Sequence, residues 1–156
     1  MRLREPLRQL AEQCSLPTAL EAMGERWSFL ILRASFNGLR HFEQYQSELG
    51  IARNILTNRL GRLVENGILH RRPCDADRRK VEYRLTDKGR DLLPTLVALR
   101  QWGERWETAG RATPMLVDAR DGRPVALVRV TSHDGRVLMP NDLIWALPDE
   151  VTDDPA

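Results

Sequence analysis

The sequence predicts a mainly α-helical fold with a small β component, in the α+β class. Two observations support this prediction. Apolar residues recur at helical spacing from residue 17 to residue 66. The pattern then changes to the alternation of half-buried strands in the short segments 68–71 and 81–85. At 156 residues, of which 42% are hydrophobic, the chain has about the length of one domain and can bury one core.

Five helices are expected before the first strand, and glycine punctuates most of them. A glycine lies within two residues of the end of each helix but the first, where its left-handed backbone can terminate the helix. The longest helix carries apolar side chains at a period near 3.6. The predicted helices span residues 3–12, 17–23, 27–36, 41–48 and 51–66.

The two strands are expected to form a hairpin with a charged tip at residues 72–80. From residue 71 to residue 80 there are five basic and two acidic side chains. Thr86 is placed to cap a further helix that runs to about residue 107. Pro94 falls early in that helix, where a kink is expected because proline cannot donate a backbone hydrogen bond.

The order short helix, tight turn, longer helix, hairpin and helix is typical of a winged helix-turn-helix, here over residues 39–86. The second helix of such a unit enters the DNA major groove by its N-terminal part. Ile55 and Leu56 can anchor it to the core. Arginine suits guanine, asparagine suits adenine, and threonine suits a base edge or phosphate. The predicted reading residues are Arg53, Asn54, Thr57 and Asn58.

Further basic residues are predicted to contact the DNA backbone. Arg62 lies one turn beyond the reading residues and suits phosphate. At the hairpin tip, Arg78, Arg79 and Lys80 can reach phosphate or an adjacent minor groove. The charge distribution agrees, since residues 1–107 hold 19 Lys/Arg against 14 Asp/Glu, whereas residues 108–156 hold 5 against 8. A solvated polar helix face and an ordinary charged turn are the alternatives.

Other chemistry finds little support in the sequence. Two cysteines, Cys14 and Cys74, make no disulfide framework, there is no Cys-x-x-Cys, and the three histidines are scattered, so we expect no metal and no cofactor. A Gly-rich phosphate loop and a nucleophile–base pair are both missing, which argues against an enzyme. No apolar run approaches the roughly 18 residues of a membrane span, so a cytoplasmic protein is expected.

Residues 108–156 are predicted to form a separate, short β-rich C-terminal appendage. Residues 108–113 have the composition of a linker, and strands are expected at 115–117, 124–131 and 136–138. The last residues are acidic. The sequence therefore divides into residues 1–107, a winged-helix DNA-binding and dimerisation domain, and residues 108–156, the appendage. A packing lid, a dimer extension and an effector pocket all remain open for it.

The sequence resembles the HxlR-type winged helix-turn-helix regulators over about residues 12–106. The matching motifs include GERW at 24–27, the helix 51–66 and VEYRLT at 81–86. The resemblance implies a regulator, with repression as the expected mode, that binds a roughly palindromic double-stranded DNA operator as a homodimer. Dimer contacts are implied for helices outside the reading head, although those helices can also cover the core. The expected interface residues are Leu3, Leu7, Leu10, Leu99, Trp102 and Trp106.

The resemblance also raises a role for Cys14, because some members of the family sense electrophiles or oxidants through a cysteine in this N-terminal position. Cys14 precedes a helix start, which favours a thiolate. The alternative is a small buried apolar residue. For the whole chain, the alternatives are a MarR-like ligand-responsive regulator and a winged helix that makes only protein contacts. The MarR type normally has a longer C-terminal helical pair, and the small-molecule or oxidant signal stays open.

Overall fold

A computed structural model describes residues 14–74, 77, 80–107 and 114–146 of the chain. Within these residues an antiparallel hairpin follows four helices and precedes two more. The α+β class and the winged helix-turn-helix architecture are confirmed. The elements are α1 Ser15–Met23, α2 Arg26–Phe36, α3 Phe42–Leu49, α4 Arg53–Glu65, β1 Leu69–Pro73, β2 Val81–Leu85, α5 Asp87–Arg90 and α6 Leu93–Trp106, with a 3₁₀ turn at Pro140–Asp142.

The core lies where α2, α3 and α4 meet the start of the hairpin. Helices α2 and α4 each turn one apolar face inward, and Tyr45 from α3 fills the space between them. Burying each leucine or isoleucine fully contributes about 1.5–3 kcal/mol. The largest buried side chains are Ile31, Leu32, Tyr45, Leu56, Leu60, Leu63, Ile68 and Leu69.

The turn between α3 and α4 takes up residues 50–52, because α4 begins later than the sequence suggested. Gly50 takes the left-handed backbone that was expected of it, with φ +58°. The predicted helix 51–66 begins two residues late, at Arg53, because Ala52 is extended and serves as the N-cap. Ile51 is 3% exposed and packs into the core from the turn, not from the helix.

The hairpin pairs Leu69 with Leu85 at its base and Pro73 with Val81 near its tip. The first strand therefore runs two residues further than the predicted segment 68–71. Proline is tolerated there because each strand of a two-stranded sheet has one unpaired edge.

The helix predicted from Thr86 to about residue 107 is two helices. α5 ends at Arg90, and α6 begins at Leu93 with Pro94 in its first turn. A continuous helix would need a backbone donor at Pro94 and would press its ring against the carbonyl of Arg90. The expected kink is thus a complete break.

The strands predicted at 115–117, 124–131 and 136–138 are wrong as regular strands. In residues 114–146 the backbone makes only isolated pairs, Val117 with Pro124 and Thr131 with Val137. Contacts separate Ser15–Val125 from a second unit that includes residues 126–146. The division at residue 107 stays a prediction, and the helix 3–12, the linker 108–113 and the acidic end lie outside the described residues.

A close backbone crossing joins the hairpin base to α5. Thr86 Oγ1 accepts from Gly89 N at 3.0 Å and donates to the Gly67 carbonyl at 2.6 Å. A Cβ at Gly89 would lie 2.2 Å from the carbonyl oxygen of Ile68 and 3.1 Å from Leu85 Cδ2. Only glycine fits at this crossing, since a backbone atom cannot move aside cheaply.

Gly89→Ala is expected to lower the free energy of unfolding by about 1–3 kcal/mol, the usual cost of overpacking. Gly61→Ala is the matched control, because a Cβ there meets nothing within 4 Å. In an exposed helix interior that change stabilises by about 0.5–1 kcal/mol. Urea unfolding at one fixed protein concentration measures both. Equal effects of the two substitutions would contradict the crossing.

Candidate nucleic-acid interface

The two faces of α4 have opposite roles. Leu56, Leu60 and Leu63 lie on the buried face, each at 1% exposure or less. At a period of 3.6 residues, this row turns the other side of the first two turns to solvent. The four predicted reading residues all lie there, exposed, and together line one open surface: Arg53, Asn54, Thr57 and Asn58.

Local contacts within the free protein hold the side chains of this surface in place. The Arg53 guanidinium lies 4.8 Å from the centre of the Phe42 ring, a cation–π contact with α3. Thr57 Oγ1 donates to the Arg53 carbonyl at 2.9 Å, and Asn58 Oδ1 accepts from Arg59 at 3.3 Å. Sequence reasoning did not connect Phe42 to Arg53.

The far side of α4 is tied to the first two helices. Arg59 forms an ion pair with Glu25, the N-cap residue of α2. Arg62, predicted to meet phosphate, donates to the Glu21 carbonyl at 3.4 Å while staying exposed. Sequence reasoning missed Arg59, because its carboxylate partner lies 34 positions away in the chain.

The Tyr45 hydroxyl links α3 to α2 and to the loop before α3. This hydroxyl donates to the Leu39 carbonyl at 2.7 Å and lies 2.8 Å from Ser35 Oγ. Burial raises the pKa of this phenol, while the Ser35 hydrogen bond acts in the opposite direction. The buried ring therefore carries its polar group to specific partners on α2 and on the loop before α3.

Tyr45→Phe is expected to lower the free energy of unfolding by about 1–2 kcal/mol, because the Leu39 carbonyl and the Ser35 hydroxyl lose a partner. Ser35→Ala removes one of the two contacts and should cost less. Circular dichroism followed through urea unfolding gives both values. A Tyr45→Phe protein as stable as the wild type would refute the anchoring role.

The hairpin, or wing, is held by a buried carboxylate. Glu82 is 6% exposed and accepts from Arg84 Nε at 2.6 Å, with Arg72 Nε 3.8 Å from the same oxygen. The Arg84 hydrogen bond, followed by one from Cys74, lowers the pKa of Glu82 to about 2. Glu82 therefore stays ionised at neutral pH and neutralises part of the wing's positive charge.

The wing also docks onto the start of α3. Tyr83 N donates to the Arg40 carbonyl at 2.8 Å, and His41 pairs with Glu82 across the junction. Of the predicted tip contacts, Lys80 is exposed, whereas Arg78 and Arg79 lie outside the described residues. These contacts fix the wing base relative to the α3–α4 pair.

Three residues that the sequence analysis left scattered come together at this junction. Ligand-type atoms of His41, Cys74 and Glu82 lie within 4.8 Å of one another. Cys74 N donates to the Lys80 carbonyl at 2.8 Å, which places the cysteine just beyond β1. Sequence spacing gave no sign of this cluster, because its members come from three elements.

Helix α6 exposes large apolar side chains. Leu92 and Leu96 pack against the core, but no residue of α6 is fully buried in the single chain. The predicted interface residues Leu99, Trp102 and Trp106 are 51%, 54% and 62% exposed. The N-terminal partners Leu3, Leu7 and Leu10 lie outside the described residues.

Cys14 is half-buried, forms no disulfide and directly precedes the first residue of α1. The position before the helix start is therefore as expected. Its sensing role stays a prediction.

An exposed polar α4 behind a tight turn, with a basic wing beside it, defines a winged helix-turn-helix DNA-binding module. The chain belongs to the HxlR-like helix-turn-helix family, whose model matches residues 22–111. The protein is thus a transcriptional regulator of the helix-turn-helix type. Within the described residues no helix has the length and apolar character needed to cross a membrane.

Curated relatives carry matching descriptions. An uncharacterised HTH-type transcriptional regulator of Mycobacterium tuberculosis is 41% identical over 135 residues, which cover 78% of this chain and 85% of the relative. YdeP of Bacillus subtilis, also described as an uncharacterised HTH-type transcriptional regulator, is 31% identical over 97 residues, 62% of this chain and 76% of its own length.

Two solved structures resemble the chain, one over most of its length and one over a smaller part. PA1607, described as a transcription-factor candidate, superposes with a TM-score of 0.81 at 39% identity and covers 94% of this chain and 99% of its own. The redox regulator HypR in its reduced form superposes with a TM-score of 0.52 at 28% identity, over 59% of this chain and 92% of its own. The first similarity thus extends well beyond the winged-helix head.

Proposed function

We propose that this regulator is a homodimeric, sequence-specific repressor that binds a roughly palindromic operator. The observation that carries the proposal is the exposed surface of Arg53, Asn54, Thr57 and Asn58 on the first two turns of α4. Its polar groups are those that read base edges, and no carboxylate lies among them. Repression is the proposed mode because a dimer seated on a promoter competes with the polymerase for the same DNA.

In this proposal the exposed surface of α4 contacts DNA base edges, and the nearby basic side chains contact the DNA phosphate backbone. Arg53, moving from the Phe42 ring, reaches guanine, and Asn54 reaches adenine, while Thr57 and Asn58 contact adjacent edges. Phosphate contacts position the helix without reading sequence. The proposed phosphate contacts are Arg62, Arg78, Arg79 and Lys80.

Arg53→Ala and Asn54→Ala are each expected to weaken operator binding by about 1–3 kcal/mol and to leave random-DNA binding nearly unchanged. Lys80→Ala should weaken both and reduce the slope of log affinity against log salt by about 1. The operator is obtained by selecting bound duplexes from a random pool, and affinities are then measured by fluorescence anisotropy.

Arg33→Ala is the control for this experiment, because Arg33 is an exposed arginine of α2 outside the reading surface. It should change neither affinity. The same affinity for every duplex sequence, or none at low salt, would sink the proposed recognition.

The homodimer is supported by the exposed apolar face of α6. Leu99, Trp102 and Trp106 lie along one stretch of the helix, and α1 adds exposed Leu16 and Leu20. A helix that leaves two tryptophans half in water buries them by pairing with a second copy. Two reading helices held in this way would lie near one DNA turn apart, roughly 34 Å.

Trp102→Glu is expected to convert the dimer into a monomer at micromolar concentration, because the carboxylate would be buried without a partner. Trp145→Glu is matched in exposure, 55% against 54%, and lies in the C-terminal segment. Sedimentation velocity reports the assembly state of each variant. A dimer that survives Trp102→Glu but not Trp145→Glu would place the interface in the C-terminal segment.

A ligand-responsive regulator of the MarR type is the second candidate, and one cavity favours it. A cavity of about 550 Å³ lies between α2 and the wing and is lined by Arg40, His70, Arg72 and Arg84, among others. The lining holds four arginines against one carboxylate, Asp87, and this excess of positive charge suits an anionic ligand. A MarR-family structure from Enterococcus faecalis superposes with a TM-score of 0.52 at 30% identity. Release of operator DNA by small carboxylates would favour this candidate.

A further inference from the structure

The junction between the wing and α3 brings together three side chains of types that can bind metals. His41 precedes α3, Cys74 follows β1, and Glu82 lies in β2, with one ligand-type atom of each within 4.8 Å of the other two. Cys74 and Glu82 are 9% and 6% exposed. We propose that His41, Cys74 and Glu82 bind one divalent transition-metal ion of the zinc type.

The donor set fits this class of ion. Imidazole nitrogen, thiolate sulfur and carboxylate oxygen are the three protein ligands that Zn²⁺ prefers, and a water molecule can complete four-coordination. Metal–ligand distances of about 2.0–2.3 Å place tetrahedral ligands roughly 3.5 Å apart. The cluster therefore needs to contract by roughly 1 Å, within reach of side-chain rotation. Hard cations such as Mg²⁺ prefer oxygen ligands and are disfavoured.

The orientation of His41 is supported from behind. Its Nδ1 lies 3.1 Å from the Val81 carbonyl oxygen. In the tautomer in which Nδ1 donates to this carbonyl, the lone pair of Nε2 is available to a metal ion. Histidines that bind metals commonly donate their other ring N–H to a carbonyl in this way, which fixes the tautomer and the ring plane.

The arginines near Glu82 leave it able to bind. Arg84 and Arg72 both approach the Oε2 atom. An ionised carboxylate has about four lone-pair sites, so Oε1 can still serve a cation. Cys74 hydrogen-bonds to this carboxylate through its thiol. On binding, the thiol proton leaves to solvent and a sulfur–metal bond replaces the S–H···O contact, while thiolate and carboxylate balance the two charges of the ion.

A bound ion would brace the wing. Its ligands lie just before α3, just after β1 and near the start of β2, and the hairpin register and the bond from Cys74 N to the Lys80 carbonyl bring the two hairpin ligands close together. Because the unfolded chain separates the three ligands, binding stabilises the folded state, and the midpoint of thermal unfolding should rise with free Zn²⁺. This site does not depend on the proposed DNA recognition, since it is measured on the free protein.

Zinc titration of the reduced full chain by calorimetry tests the proposal. One Zn²⁺ per chain is expected, and Cys74→Ser, His41→Ala and Glu82→Gln should each weaken the affinity at least about tenfold. Cys14→Ser and His70→Ala are the matched controls, and both should bind as the wild type does. Co²⁺ added to the unmodified protein should give the near-ultraviolet absorption of a cobalt–thiolate bond, which keeps the test decisive where a variant fails to fold.

Three results would overturn the site. The first is an absence of stoichiometric binding by the wild type. The second is an affinity that Cys74→Ser retains and Cys14→Ser loses. The third is Co²⁺ binding without thiolate absorption, which would mean that the ion sits on surface groups elsewhere.

Discussion

The packing of the α4 leucine row against α2 and Tyr45 is the interaction on which the rest of the structure depends. Leu56, Leu60 and Leu63 are almost completely buried, so α4 has only one stable rotation about its axis. That rotation exposes the polar side chains of the first two turns. The left-handed Gly50 and the extended Ala52 lead the chain into α4 in the orientation that buries this leucine row. Ile51, between them, is also buried in the core.

The wing is positioned by polar contacts instead. A buried carboxylate is costly unless it is paired, and Glu82 is paired with two arginines of the hairpin. The backbone bond from Tyr83 to Arg40 then joins β2 to the residues before α3. The base of the wing is therefore held against the helix-turn-helix. Lys80, exposed at the hairpin tip, follows from this held base.

In contrast to α4, helix α6 at the C-terminal end of the winged-helix unit leaves large apolar side chains exposed. α6 and its N-cap residue pack Leu96 and Leu92 against the core, while Leu99, Trp102 and Trp106 stay exposed. Trp102 and Trp106 of this helix are both more than half exposed in the single chain. The break at Pro94 matters here, because it lets α6 leave the hairpin base in its own direction, with Gly89 held tightly against Ile68.

The sequence by itself determined the order of the elements and the polar face of α4. Periodicity reports which residues of a helix share a face, and glycine marks where helices end, so the exposed face of Arg53, Asn54, Thr57 and Asn58 and the hairpin were predictable. What only the tertiary structure decided depends on partners far apart in the chain. Those features are the Phe42 support of Arg53, the Arg59–Glu25 pair and the meeting of His41, Cys74 and Glu82. No local pattern encodes such meetings, because they arise only when packing brings separate elements together. The strands predicted for residues 114–146 were wrong for a related reason. Alternating polarity produces a regular strand only where a neighbouring strand forms continuous backbone hydrogen bonds with it, and these residues make only isolated pairs.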